Sequence, residues 1–173
     1  MKVLVVIDMQ IDFIDGVLGT KEAVAIVPNV IEKINNFEGK ILATRDTHSD
    51  NYLESAEGRK LPVTHCVKGT VGWQLHPQIN KLLKEAPIDK PTFGSTKLGE
   101  VLRNLHKEAP IESITLIGVC TDICVISNAM LVKAFLPEVP VVVDASCCAG
   151  VTPESHKQAL EAMKVCQIDV IGE

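Results

Sequence analysis

Short runs rich in valine and isoleucine return along the chain at residues 3–7, 41–44, 114–119, 139–143 and 168–171. None alternates strictly between apolar and polar, so each suits a strand covered on both faces rather than one with a wet side. Between them lie stretches of helical periodicity at 23–36, 97–107, 122–135 and 153–164. Thr152 followed by Pro153 gives the last of these a start signal, a hydroxyl N-cap with proline at the first helical position. Parallel strands need a crossover connection, and a helix is the usual one. The pattern predicts an α/β protein: a doubly wound, mostly parallel β-sheet with helices on both faces, in a single domain spanning residues 1–173. Hydrophobic residues make up 46% of the chain and aromatic ones only 3%, so the core has to be built from valine, isoleucine, leucine and alanine.

Charge narrows the function. The formal net charge is −5 and the lysines and arginines are scattered. They form no basic stripe for nucleic acid and no polybasic patch for an anionic membrane. The first apolar run ends at Asp8 and is too short for a secretion signal or a membrane span, which predicts a cytoplasmic protein. Six cysteines (66, 120, 124, 147, 148 and 166) include no C-x-x-C pair. They are expected to be reduced, most of them acting as small buried hydrophobes.

The residues that carry chemistry fall near strand ends, where ligand sites of open α/β sheets form. Asp8 closes the first run and reads either as a loop cap or as a general base. Residues 46–76 sustain no period, and a loop that long in a compact domain is usually functional or disordered. It opens with Asp46-Thr-His48, whose alternate residues project to one side of an extended segment. His65 lies further along, with Glu54 and Glu57 between. One carboxylate, two imidazoles and a second carboxylate make a donor set suited to Zn²⁺, Mn²⁺ or Fe²⁺. The plainer alternative is a polar surface loop. His76, His106 and His156 fall in or beside amphipathic stretches and read as ordinary surface histidines.

Lys90 stands in an extended stretch before Pro91. It is either a solvated charge or a lysine placed to stabilise a thiolate and a carboxylate. The segment Gly118-Val-Cys-Thr-Asp-Ile-Cys124 passes from an apolar strand into a helix. A thiol there would meet free backbone N–H groups and the positive end of the helix dipole, a setting that lowers its pKa. Cys120 belongs to the turn and Cys124 to the first helical turn. Without partners, either is buried packing.

Taken in order, several segments resemble the isochorismatase-like cysteine hydrolase superfamily, and within it the nicotinamidase (pyrazinamidase) branch. They are Asp8-Met-Gln-Ile-Asp-Phe13, Thr44-Arg-Asp46-Thr-His48, His65-Cys-Val-Lys-Gly-Thr70, Lys90-Pro-Thr-Phe93, Gly118-Val-Cys-Thr-Asp-Ile-Cys124-Val and Asp144-Ala-Ser-Cys147. The resemblance implies a catalytic triad at Asp8, Lys90 and Cys124, with Cys124 the nucleophile. It implies a non-proline cis peptide between Val119 and Cys120, and an oxyanion hole made by the backbone N–H groups of Cys120 and Cys124. One divalent metal ion, expected to be Zn²⁺ with Mn²⁺ or Fe²⁺ as alternatives, would sit on Asp46, His48 and His65. The branch often has a third histidine in this loop, and none lies between His48 and His65. Glu57 is the expected replacement, with Glu54 second. Phe13 would form one wall of the substrate pocket, while Pro62 stands where an aromatic is often found; Trp73 or Tyr52 could compensate.

The implied activity is metal-dependent amide hydrolysis, releasing ammonia from nicotinamide or a close aromatic amide through a thioester, with a place in pyridine nucleotide salvage. The partner is a small-molecule amide, and the family commonly forms homo-oligomers. Two other readings stand beside this one. One is another small-amide or ureido hydrolase of the same superfamily. The other is a noncatalytic metal- or ligand-binding α/β protein with a structural Cys124.

Overall fold

The computed structural model describes residues 1–173. Six strands form one sheet: β1 (Lys2–Ile7), β2 (Lys40–Asp46), β3 (Ile88–Lys90), β4 (Ser113–Val119), β5 (Val141–Ala149) and β6 (Asp169–Ile171). All neighbouring pairs are parallel, in the order β3-β2-β1-β4-β5-β6. The chain winds outward from β1 to one edge and then from β4 to the other. At the β1–β4 boundary the winding reverses, and the loops leaving those two strands diverge to open a crevice. Asp8 follows β1 directly and Cys120 follows β4 directly.

The helices are α1 (Ile11–Ile14), α2 (Lys21–Asn35), α3 (Ala56–Lys60), α4 (Pro77–Asn80), α5 (Thr96–Glu108), α6 (Ile126–Phe135) and α7 (Pro153–Val165). They cover both faces of the sheet. Val3, Val5 and Ile7 of β1 pack with Leu98, Leu102, Val132 and Leu160, from α5, α6 and α7. Leu4 and Val6 point the other way, to Val27, Val30 and Ile34 of α2. This period-two division explains the unbroken apolar run of β1: both of its faces are dry. Hydroxyl caps start the long helices. Thr20, Ser95 and Thr152 accept hydrogen bonds from the N–H groups of Ala23, Leu98 and Ser155, each contributing about 1 kcal/mol. No helix is long and apolar enough to cross a membrane.

Two strands depart from the sequence pattern. β3 is only Ile88-Asp-Lys90, an edge strand held by its register against Thr44–Asp46. Three residues with two charges carry no apolar signature. β5 runs to Ala149, past the predicted stop at residue 143. Asp144 is tolerated inside it because Lys33 Nζ lies 2.7 Å from Oδ2 and the Ser146 hydroxyl donates to Oδ1 at 2.7 Å. The register against β4 shifts here, Leu116 pairing with Val143 but Gly118 with Cys148. A bulge of this kind re-aims a strand end. Residues 46–76 are irregular as expected, but they contain a 3₁₀ turn at Tyr52–Glu54 and the short α3.

Gly118 marks the closest approach at the crevice. Its φ is +120°, and a Cβ there would lie 2.1 Å from the Ile7 carbonyl oxygen. A side chain would push β4 off β1 just where Asp8 and Cys120 leave the sheet. Gly118→Ala is therefore expected to lose at least about 1–3 kcal/mol of stability, read as a lower urea midpoint. An unchanged midpoint would show that the two strands separate at no cost.

Candidate active site

Lys90 ends β3, two strands away from β1. Two spacings of about 4.8 Å are a gap that a lysine bridges and a shorter cation does not. Its Nζ lies 2.6 Å from Asp8 Oδ2, 3.1 Å from the Thr92 carbonyl oxygen, 3.3 Å from Asp46 Oδ1 and 3.5 Å from Cys124 Sγ. Lys90 and Asp8 are fully buried and Cys124 nearly so. Burial alone would discharge the lysine, but the carboxylate charges, Asp8 first and then Asp46, outweigh it and hold the ammonium above its ordinary value.

Asp8 has φ +46°, a left-handed conformation that a non-glycine residue adopts at some cost. Thr44 donates its hydroxyl to Oδ1 at 2.7 Å. Oδ2 approaches Lys90 as an ion pair outside hydrogen-bond alignment, which leaves a lone pair free. Burial raises the Asp8 carboxyl above its ordinary value, and the Lys90 charge opposes this without reversing it.

The thiol corrects a sequence expectation. A helix start favours a thiolate, yet burial and then the Asp8 charge hold Cys124 well above its ordinary value, against the pull of Lys90. The site holds a protonated thiol beside a base. Cys120 is pushed up to about 12 by burial and then by Asp122 and Asp8, so its thiol is inert near neutrality. Nor does Cys124 open an α-helix. Thr121–Val125 is one π turn, in which the Cys120 carbonyl accepts from Ile123 N at 3.1 Å and Val125 N at 3.0 Å. The Val119–Cys120 peptide is cis, and the Cys120 N–H donates to no acceptor within the protein. All six cysteines are free.

Beside this trio lies a second cluster. One ligand atom each from Asp46, His48, Glu57 and His65 lie within 4.8 Å of one another. Asp46 ends β2, and Gln10 clamps its backbone, accepting from its N–H at 2.7 Å and donating to its carbonyl at 2.8 Å. His48 is pinned by N–H to the Cys66 carbonyl at 2.9 Å, and Glu57 stands in the first turn of α3. His65 Nδ1 lies 2.7 Å from the Val63 carbonyl oxygen. Nδ1 therefore carries the proton and Nε2 offers a lone pair to the cluster. His48 Nε2 is buried without an aligned hydrogen bond, although Asp46 Oδ2 is 2.9 Å away. Two imidazole nitrogens and two carboxylates converging this way fit a divalent cation. Burial would raise Asp46, but His48 and Lys90 bring it below its ordinary value. The Glu54 side chain is outside the cluster, on the exposed side of the 3₁₀ turn.

Both groups open into one cavity of about 570 Å³, lined mainly by apolar side chains. Phe13 forms one wall, its ring centroid 5.5 Å from that of His65. Phe93, which the sequence did not single out as a wall, lines the cavity as well, with Leu61 and Val151. Trp73 and Tyr52 do not line it. Trp73 lies under the Arg45 guanidinium, 3.4 Å from the ring centroid, and Tyr52 packs behind His48 and donates to the Leu61 carbonyl. The three supposed surface histidines are all half-buried. His106 Nδ1 accepts from Ile111 N at 3.1 Å, and His156 Nδ1 lies 2.7 Å from Thr121 Oγ1.

An open parallel sheet with a buried carboxylate, lysine and thiol at its switch point has the layout of a cysteine hydrolase. The chain belongs to the isochorismatase family: that family's domain model matches residues 2–172. It is similar to the nicotinamidase/pyrazinamidase of Mycobacterium tuberculosis, 24% identical over 99% of this chain and 98% of the relative. Among solved structures, the pyrazinamidase of Pyrococcus horikoshii in complex with zinc is 28% identical, with a TM-score of 0.82 and 99% of each chain covered. The pyrazinamidase/nicotinamidase of Streptococcus mutans is 26% identical with a TM-score of 0.80, covering 99% of this chain and 100% of the other.

Glu57→Gln is expected to weaken binding of a divalent metal by about tenfold or more, while Glu54→Gln leaves it unchanged. Elemental analysis after dialysis against graded chelator measures both. Equal metal loss in the two variants would remove Glu57 from the ligand set.

Proposed function

We propose that this chain is a metal-binding cysteine amidohydrolase that releases ammonia from nicotinamide or a close aromatic amide. The observation that carries the reading is the buried Lys90 ammonium, set within 3.5 Å of both Asp8 and Cys124, the last of which lines an apolar cavity. The names of the relatives support the substrate class. The cavity favours a flat ring between Phe13 and Phe93 over a ureido compound, which would need more polar partners than the walls present. A noncatalytic role leaves no reason to bury an ammonium against a thiol. Residues 1–173 act as one domain around the single sheet.

Asp8 accepts the thiol proton as Cys124 Sγ attacks the amide carbonyl carbon. Lys90 stays charged throughout and compensates the negative charge as it passes from carboxylate to sulfur. The carbonyl oxygen, now an oxyanion, takes hydrogen bonds from the backbone N–H groups of Cys120 and Cys124. Asp8 then returns the proton to the departing nitrogen, and ammonia leaves a thioester. A water molecule, deprotonated by the same carboxylate, cleaves the thioester to a carboxylic acid and restores the thiol. A divalent ion, proposed to be zinc, would be held by Asp46, His48, Glu57 and His65 and would act as a Lewis-acid anchor for the ring nitrogen.

Cys124→Ala is expected to lower ammonia release from nicotinamide more than about a thousandfold, with metal content unchanged. Turnover retained in that variant would remove Cys124 as nucleophile. The pH profile follows from the same groups. Attack needs Asp8 ionised and Cys124 protonated beforehand, and both pKa values are raised. The acid limb of kcat/KM should therefore lie above the ordinary carboxyl value of 3.8. No alkaline fall should begin below the ordinary thiol value of 9.0. An acid limb at or below 3.8 would show that burial does not govern Asp8.

A further inference from the structure

The π turn that carries Cys124 is not held by helical hydrogen bonds alone, because the Cys120 carbonyl is shared between Ile123 N and Val125 N. Its orientation depends on tethers from outside the turn. Asn128 Nδ2 donates to the Cys124 carbonyl at 2.8 Å and to the Phe93 carbonyl at 3.0 Å. Asp122 Oδ1 accepts from Val151 N at 3.1 Å. The third tether is the pair Thr121 Oγ1 and His156 Nδ1 at 2.7 Å.

This last pair is placed to matter for chemistry. Thr121 is fully buried and directly follows Cys120, whose N–H has no acceptor in the protein. His156 comes from α7, which supplies no residue to the Asp8–Lys90–Cys124 group or to the metal-type cluster. The preceding loop presses on it: a Cβ on Gly150 would lie 2.9 Å from the Cα and Cβ of His156. Burial, opposed by Asp122 and Glu173, holds the imidazole below its ordinary value, so the pair is a neutral hydrogen bond near pH 7.

We propose that His156 is a positioning residue which, through Thr121, fixes the direction of the Cys120 N–H toward the carbonyl oxygen of the bound amide. The proposal rests on the amidase reading above. An oxyanion exists only after attack, so the effect falls on kcat and spares KM.

The test compares His156→Leu, His156→Asn and Thr121→Val with wild type. It reads kcat and KM for nicotinamide and the affinity for pyridine-3-carbaldehyde. With the aldehyde, Cys124 Sγ bonds to the carbonyl carbon, the π pair moves to oxygen, and the thiol proton passes to Asp8. His156→Leu is expected to lower kcat about ten- to hundredfold, to leave KM within about twofold, and to weaken the aldehyde by the same factor as kcat. His156→Asn keeps a polar atom at the Nδ1 position and should retain most of the rate. Thr121→Val removes the other partner without touching α7 and should reproduce the loss, whether or not His156→Leu folds. An unchanged kcat, a loss confined to KM, undiminished aldehyde affinity or no rescue by asparagine each overturns the proposal. If wild type hydrolyses no amide yet forms the aldehyde adduct, the amidase reading fails and the adduct comparison still decides His156. A wild type that neither hydrolyses an amide nor forms the adduct overturns both.

Discussion

A buried ammonium is the constraint around which this molecule is arranged. Lys90 is 1% exposed and so is shut off from bulk solvent. Its charge is met by Asp8, Asp46, one backbone carbonyl and the Cys124 sulfur. Removing one partner from a buried pair costs about 3–5 kcal/mol, a large share of the 5–15 kcal/mol that holds a typical domain together. The groups proposed as catalytic are thus structural as well. The short edge strand β3 exists to deliver this one side chain, and its register sets Lys90 beside Asp46.

The electrostatics keep the resting proton on sulfur rather than on the carboxylate. Both the Asp8 carboxyl and the Cys124 thiol are raised by burial, so neither is strongly acidic. The resting proton therefore stays on sulfur, and the fixed Lys90 charge stabilises the negative charge on whichever of the two groups carries it. Burial of the trio makes this possible. Water at the floor would solvate each charge separately and uncouple the pair.

Much of the fold is legible because β-strands buried on both faces leave continuous apolar runs, as in β1 and β4. Asp8 is legible for the same reason, as the first polar residue after such a run. Lys90 is different. Its importance arises from three elements meeting, and three residues of edge strand leave no periodic trace, so only the resemblance singled it out. The state of the thiol is not legible, because a helix dipole is a local property while the burial that holds Cys124 up is a global one. His156 was hidden by the amphipathic pattern of α7. Its partner Thr121 lies 35 residues away, and nothing in either segment announces the other. Phe93 went unassigned as a wall because an aromatic in a loop has no period to say which way it faces.

Asp46 divides its two oxygens between neighbours of different kinds. Oδ1 faces the Lys90 ammonium and Oδ2 faces His48 and His65. One carboxylate therefore forms a party wall between the trio proposed to break bonds and the donor set suited to an ion. Charge drawn toward one side is withdrawn from the other, so ion and lysine compete for the same electron density. An amide in its place would disturb both rooms at once, and its phenotype could not be apportioned between them. The imidazoles and Glu57, which touch one side alone, allow the two to be taken apart.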